Sequence, residues 1–238
     1  VTHLAVISPV TVRWLHLDDV DLDLDLDDLD GDPASVPLSP GERARLAALR
    51  VPADRRRFLG ARSLLRAAVA EVTGADPRHV HLHQRCERCG GPHGRPQVHV
   101  GTEPGPHVSV AHAGALAVVA VGRSPVGVDV EPVAPALRST QPPWSVGPTA
   151  PAGVSDLRTW VRREAVLKAV GLGVDVDPDP VRLSPPDAPP RLVAWSGPGR
   201  RPRVHLADLD TAPGHLVTVA TVGRPRPVDA APLQVSGW

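Results

Sequence analysis

Of the 26 lysines and arginines in this chain of 238 residues, a single one is lysine, Lys168. It stands in the stretch Trp160-Val-Arg-Arg-Glu164-Ala-Val-Leu-Lys168-Ala-Val-Gly171. A lysine is a compact donor whose pKa can shift and which can pass on a proton, whereas an arginine stays charged and grips anions as a planar fork. A sequence that writes nearly every cation as arginine has kept the transferable one here. At helical spacing Glu164 and Lys168 share a face with Leu157, Trp160, Val161 and Leu167, while Arg162 and Arg163 fall on the other side. Charges on an apolar stripe need partners or ligands, because burying them alone is costly. The same spacing also admits a plainer reading, an i,i+4 surface ion pair worth a few tenths of a kcal/mol.

A pair of acids precedes this stretch. In Gly127-Val-Asp129-Val-Glu131 the carboxylates are two residues apart, so on a strand both leave one face while Val128 and Val130 leave the other. Asp129, Glu131 and Glu164 together could hold magnesium, which takes few carboxylates and completes its shell with water and substrate phosphate. A polar strand face ending in a turn would read the same way. Further along, Cys86-Glu-Arg-Cys89 followed by His93, with His79, His81 and His83 upstream, has the turn of a structural zinc knuckle. A reduced turn without metal is the simpler alternative. The alternation Asp21-Leu-Asp-Leu-Asp-Leu-Asp27 reads as a strand with one solvated acidic face, since it lacks the glycine and terminal glutamate of a calcium loop.

The elements that would carry these groups follow from hydrophobic period. Residues 41–74 read as a helix, opened by Ser39-Pro40-Gly41-Glu42 and ended by Gly74. His107–Ala111 and Leu116–Val121 read as strands joined through Ala113-Gly114, and Val126–Glu131 as a third. Pro132–Pro151 is rich in proline and reads as loop, Leu157–Val170 as helix, and Leu216–Gly223 as a strand. Phe58, Arg62 and Arg66 repeat the spacing of Trp160, Glu164 and Lys168, and Leu116–Gly122 resembles Leu216–Gly223, each at an offset of about 100 residues, as a duplicated α+β unit would give.

Composition narrows the function classes. Formal net charge is zero and aromatic residues make up 3% of the chain, which argues against a nucleic-acid surface of interleaved cations and aromatic rings. The basic run Arg43–Arg66 points instead to a local anion site. No run approaches the ~18 apolar residues of a membrane span, and no apolar leader opens the sequence, so a cytoplasmic protein with neither membrane nor nucleic acid as partner is expected.

Taken together, Asp129-Val-Glu131 and Trp160-x-x-Arg163-Glu164-x-x-x-Lys168-x-x-Gly171 resemble the paired signatures of the 4'-phosphopantetheinyl transferases, large Sfp-type class: G-(V/I)-D-(V/I)-E and W-x-x-K-E-(A/S)-x-x-K-x-x-G. Arg57-Phe-Leu-Gly-Ala-Arg62-Ser-Leu-Leu-Arg66, the turn Gly94-Arg95-Pro96 and Val108-Ser-Val-Ala111-His112-Ala113-Gly114 are similar to the family's early helix, G-(K/R)-P turn and S-H-(S/T)-G hairpin, in the same order. The resemblance implies an α+β fold of two similar α/β halves related by a pseudo-twofold, residues 1–125 binding coenzyme A and 126–238 carrying the magnesium-binding and catalytic motifs, with the active site at their interface. It implies transfer of the phosphopantetheine arm of coenzyme A to a serine of an acyl, peptidyl or aryl carrier protein of polyketide or nonribosomal peptide assembly, by a monomer.

On matching positions, Asp129, Glu131 and Glu164 would hold magnesium. Glu164 would take the serine proton, directly or through a water, and Lys168 would stabilise or protonate the leaving phosphate. His112, Arg57, Arg62 and Arg95 would hold the coenzyme A phosphates. Three departures stand out: Arg163 replaces the motif's first lysine, Ala111 and Ala113 replace hydroxyl residues beside His112, and Pro135–Pro151 lacks the family's F-x-x-x-E pattern. A relative that binds coenzyme A or carriers without transfer stays open at this point.

Overall fold

The computed structural model describes residues 9–19, 38–85, 90–91, 94–133, 154–172, 181–211 and 213–233. The expected acidic strand at 21–27, most of the expected loop at 132–151, and the cysteine pair Cys86 and Cys89 with His93 lie outside the described residues. Described are β1 (Val10–His16), α1 (Pro40–Ala48), α2 (Pro52–Thr73), β2 (Val80–Gln84), β3 (Pro96–Val100), β4 (Glu103–Pro104), β5 (His107–Ala113), β6 (Leu116–Gly122) and β7 (Val126–Pro132). They are followed by α3 (Val154–Val170), β8 (Val181–Leu183), β9 (Leu192–Trp195), β10 (Val204–Leu209), β11 (His215–Val222) and β12 (Val228–Pro232). The fold is mixed α/β, with several small sheets and three described α-helices.

The single helix expected over 41–74 is two helices. Val51 is extended, at ψ 123, because the residue before a proline is pushed out of the helical region, and Pro52 then opens α2. Ser39 and Glu42 form a reciprocal capping box at the start of α1, and Gly74 ends α2 at φ 72, a conformation that glycine alone adopts freely. The hairpin β5–β6 turns through Gly114 at φ 57 as the sequence suggests.

Two sheets carry the architecture, one in the order β12-β1-β6-β5 and one in the order β10-β11-β7; β2-β3-β4 and β8-β9 are smaller. Strand β6 is buried along its whole length, which is why it reads as a continuous apolar run rather than an alternation. Ala117, Val119 and Val121 face Leu64, Leu65, Ala68 and Val69 of α2. Leu116, Val118 and Ala120 face Val126, Val128 and Val130 of β7 and Val217 and Val219 of β11. Beyond the second sheet, Ala165, Val166 and Ala169 of α3 pack on Ala220, Val181 and Leu192. The layers are therefore α2, sheet, sheet, α3. No described helix is long and apolar enough to cross a membrane.

Arg162 corrects the expectation of a polar far side to α3. It is 2% exposed, donating to Asp208 Oδ2 at 2.6 Å and to the carbonyls of Pro185 and Ala188 at 3.0 and 3.1 Å. Thr218 Oγ1 donates to Asp208 Oδ1 at 2.8 Å. Burial raises the Asp208 pKa, but the Arg162 and Thr218 hydrogen bonds and the charges of Arg162 and Arg158 outweigh it and hold it below the ordinary carboxylate value. The far face of α3 is thus covered by the segment around Pro185–Ala188, and Asp208 ties helix to sheet. Asp208→Ala strands a buried guanidinium and is expected to lower unfolding free energy by about 3 kcal/mol; urea denaturation checks this, and a loss under about 1 kcal/mol would mean water substitutes for the carboxylate.

Candidate active site

Alternation along β7 turns Val126, Val128 and Val130 into the core between the sheets and leaves Gly127, Asp129 and Glu131 on the side of α3. Gly127 lets the helix come close: a Cβ there would stand 2.1 Å from the Ala165 carbonyl oxygen, 2.4 Å from the Ala169 nitrogen and 2.9 Å from Lys168 Cβ. At this separation Lys168 Nζ donates to Asp129 Oδ1 at 2.5 Å. The partner of the lone lysine is thus across the helix–strand contact, and the surface pair with Glu164 is not the arrangement found: Glu164 is itself buried, 7% exposed.

The three acids share one electrostatic environment. Burial pushes the Asp129 carboxyl up against the opposing pull of Lys168, and its Oδ2 is buried without a hydrogen-bond partner. Glu131 is pushed up to about 7, by burial first, then by the charge of Asp129, with Glu164 adding to it and Lys168 opposing. Glu164 is pushed up to about 6, by burial and then by Asp129, with Lys168 and Arg163 opposing. One ammonium leaves this cluster short of positive charge.

Among the described residues no three His, Cys, Asp or Glu side chains are arranged as a ready metal cage. The donor chemistry nevertheless fits magnesium, which uses one or two carboxylates and fills its shell with water and phosphate oxygens: Asp129 offers an orphaned buried oxygen, and Glu131 is a carboxylate raised by burial and then by the charge of Asp129.

His112 lies on β5, the strand alongside β7. Its imidazole pKa is lowered by burial and then by the charges of Arg57 and Lys168. Arg57 from α2 and Lys168 from α3 thus both act electrostatically on His112. Arg57 is half-buried and paired with Asp54.

Arg95 sits in the bend before β3; its Nη1 lies 3.5 Å from where a Cβ on Gly171 would stand, just past Lys168 on α3. Burial lowers its pKa, and its Nη2 is buried with no hydrogen-bond partner. Arg62 stands apart. It is 8% exposed, ion-paired with Glu42 at 3.3 Å, donating to Gln84 Oε1 at 2.5 Å and stacked over Phe58. Gln84 in turn donates to the Gly94 carbonyl at 3.0 Å, so Arg62 braces the turn that carries Arg95 rather than facing the acids.

Residues that the sequence reading passed over now have a place. Gly127 had a legible signal, a glycine inside an apolar strand, which marks close approach of another backbone. Glu42, the acid that holds Arg62 and Arg66, had none, since its partners are 20 and 24 positions away. His107, whose pKa is lowered by burial and by Arg95, was likewise invisible to spacing.

Replacing Glu131 by Gln removes one of the mutually repelling charges. The folded protein binds that proton more tightly than the unfolded chain does, so the carboxylate's cost grows as pH rises from 4.5 through about 7. Glu131→Gln is expected to stabilise the metal-free protein by up to about 2 kcal/mol at mildly alkaline pH, with the difference vanishing below pH 4.5. Paired denaturation curves across pH check this; a gain that does not depend on pH would assign it to packing.

Comparison with protein-family models and with curated protein sequences returns no match for this chain.

Proposed function

We propose that this protein is a magnesium-dependent 4'-phosphopantetheinyl transferase, a cytoplasmic monomer that converts apo carrier proteins to their holo form. The observation that carries the reading is the Lys168–Asp129 pair, which shares its electrostatic environment with Glu131 and Glu164 and acts on His112 of the neighbouring strand. Acids and phosphate-binding cations occupy the positions at which the sequence resembles that family. The element order adds support. The succession β1, α2, small sheet, β5, β6 is matched by β7, α3, small sheet, β10, β11, and the strand orders β1-β6-β5 and β7-β11-β10 correspond. A pseudo-twofold relating residues 1–125 to 126–238 would produce both.

In the proposed reaction the carrier serine oxygen forms a bond to the phosphorus that bears the pantetheine arm. The bond from that phosphorus to the bridging oxygen breaks, and adenosine 3',5'-bisphosphate leaves. Asp129 and Glu131 would hold magnesium, which when bound would offset the charge of the diphosphate. Glu164 would accept the serine proton, directly or through a water, as the bond forms. Lys168 would donate to the departing phosphate oxygen. Arg57, Arg95 and His112 would hold the remaining phosphates by charge-assisted hydrogen bonds, with Arg62 acting through the Arg95 turn.

Intact-mass measurement of an apo carrier panel incubated with coenzyme A and magnesium tests the reading. Addition of the phosphopantetheine mass, dependent on magnesium, is expected. Coenzyme A binding without addition on any carrier would favour a binding module, and absence of both would overturn the reading.

A further inference from the structure

The candidate site has two strand walls that belong to different sheets: His112 is on the edge strand β5 of one, Asp129 and Glu131 on the edge strand β7 of the other. Between these strands the Val128 N–H donates to Ser109 Oγ at 3.0 Å, a buried bond from the backbone of β7 to a side chain of β5. Ser109 is 5% exposed, and Val128 is fully buried and immediately precedes Asp129. We infer that Ser109 is a positioning residue: its hydroxyl stitches the two strand edges together from the inside and thereby sets the offset of Asp129 and Lys168 against His112 and Arg57.

The chemistry of the pairing supports this. The ladder of β7 is with β11, where Val128 stands opposite Val219, so an amide turned toward β5 needs a partner from outside that ladder. A serine is short enough for its hydroxyl to accept from the neighbouring strand edge, and a buried N–H left without an acceptor is costly. An alanine or valine here would leave that donor bare, and the seam would relax to let water in or let the edges part. His112 is three residues along β5 from Ser109, and Asp129 one residue along β7 from Val128. A shift at the stitch therefore acts on the backbone close to both walls. This inference rests on the transfer reading for what the site binds, but not for the stitch itself.

Ser109→Thr and Ser109→Val have nearly the same shape and differ in the hydroxyl, so comparing them isolates the hydrogen bond. In Ser109→Val, coenzyme A affinity in the presence of magnesium is expected to fall roughly tenfold, with a larger fall in turnover, since misplacement by about 1 Å is enough to cost two orders of magnitude in rate. Ser109→Thr is expected to stay within about twofold of the parent on both. Ser184→Ala, which removes a different buried hydroxyl that donates to the Pro189 carbonyl and accepts from the Arg191 N–H, serves as the stability control and should leave coenzyme A affinity unchanged.

The His112 ring resonance, assigned with His112→Gln, reports on the walls without any ligand. It should move in Ser109→Val and keep its position in Ser109→Thr. Equal behaviour of the threonine and valine variants in that resonance would overturn the positioning role even if transfer occurs. A parent protein that neither binds coenzyme A nor transfers would overturn the functional reading alone, with the resonance comparison still deciding the stitch.

Discussion

Lys168→Arg is expected to fold as the parent does and to transfer about a hundredfold more slowly. The substitution keeps a positive charge opposite Asp129, so the buried carboxylate is not stranded and the contact between α3 and β7 survives. What changes is the donor. A guanidinium spreads its charge over a planar fork and does not give up a proton in proteins, whereas the ammonium is a compact donor that can follow charge onto a departing phosphate oxygen. Initial rates with an apo carrier and coenzyme A, beside thermal denaturation of both proteins, separate the two consequences. Unchanged turnover would leave Lys168 as an electrostatic anchor for Asp129 and nothing more. A large loss of stability would mean that the contact between α3 and β7 has no room for the longer side chain, and Lys168→Gln would then test the donor role.

Gly127→Ala is expected to lower stability by about 3 kcal/mol or more. The atoms it would strike, the Ala165 carbonyl oxygen and the Ala169 nitrogen, are both backbone of α3, so no side-chain rotation relieves the overlap. Either the helix lifts from β7 or the strand bends away, and each opens the contact that lets Lys168 reach Asp129. Activity should fall together with stability. The informative measurement is chemical denaturation of Gly127→Ala against the parent; a difference within about 1 kcal/mol would contradict the close approach on which the site depends.

Lys168 stands out as a candidate from residue type and spacing alone, because an acid and a lysine one turn apart on an apolar stripe need no fold to be noticed. The role of Gly127 depends on α3 lying directly on that strand. The same divide runs through the elements. Strands β5, β6, β7 and β11 and helix α3 fall where apolar period places them, since side-chain direction alternates along a strand and recurs each turn along a helix whatever the neighbours are. The break before Pro52 is also legible in the sequence, as a proline inside an apparently continuous helical run.

Arg162 and Arg62 show the limit from the other side. By spacing Arg162 falls on the side of α3 away from the apolar stripe, and Arg62 is expected, by the family resemblance, to hold a phosphate. Their burial comes from segments far along the chain, Asp208 and the carbonyls near Pro185 in one case and Glu42 and Gln84 in the other. A charge finds its partner by proximity in space, and a one-dimensional pattern carries no record of distances between residues tens of positions apart.

By itself the sequence determined which groups are available for chemistry: paired carboxylates on one strand face, a third on a helix, one lysine, and a set of arginines and histidines that could meet phosphate. It also determined the elements that bear them, because period and turn chemistry are local. Only the tertiary structure decided that Lys168 pairs with Asp129 rather than Glu164, that Glu131 and Glu164 are raised toward neutral pH, and that Arg62 is held by Glu42 and Gln84, bracing a turn. Those outcomes depend on burial and on charge separation across the β5–β7 seam and the contact between α3 and β7. Both are set when the layers pack, and neither exists in the chain before they do.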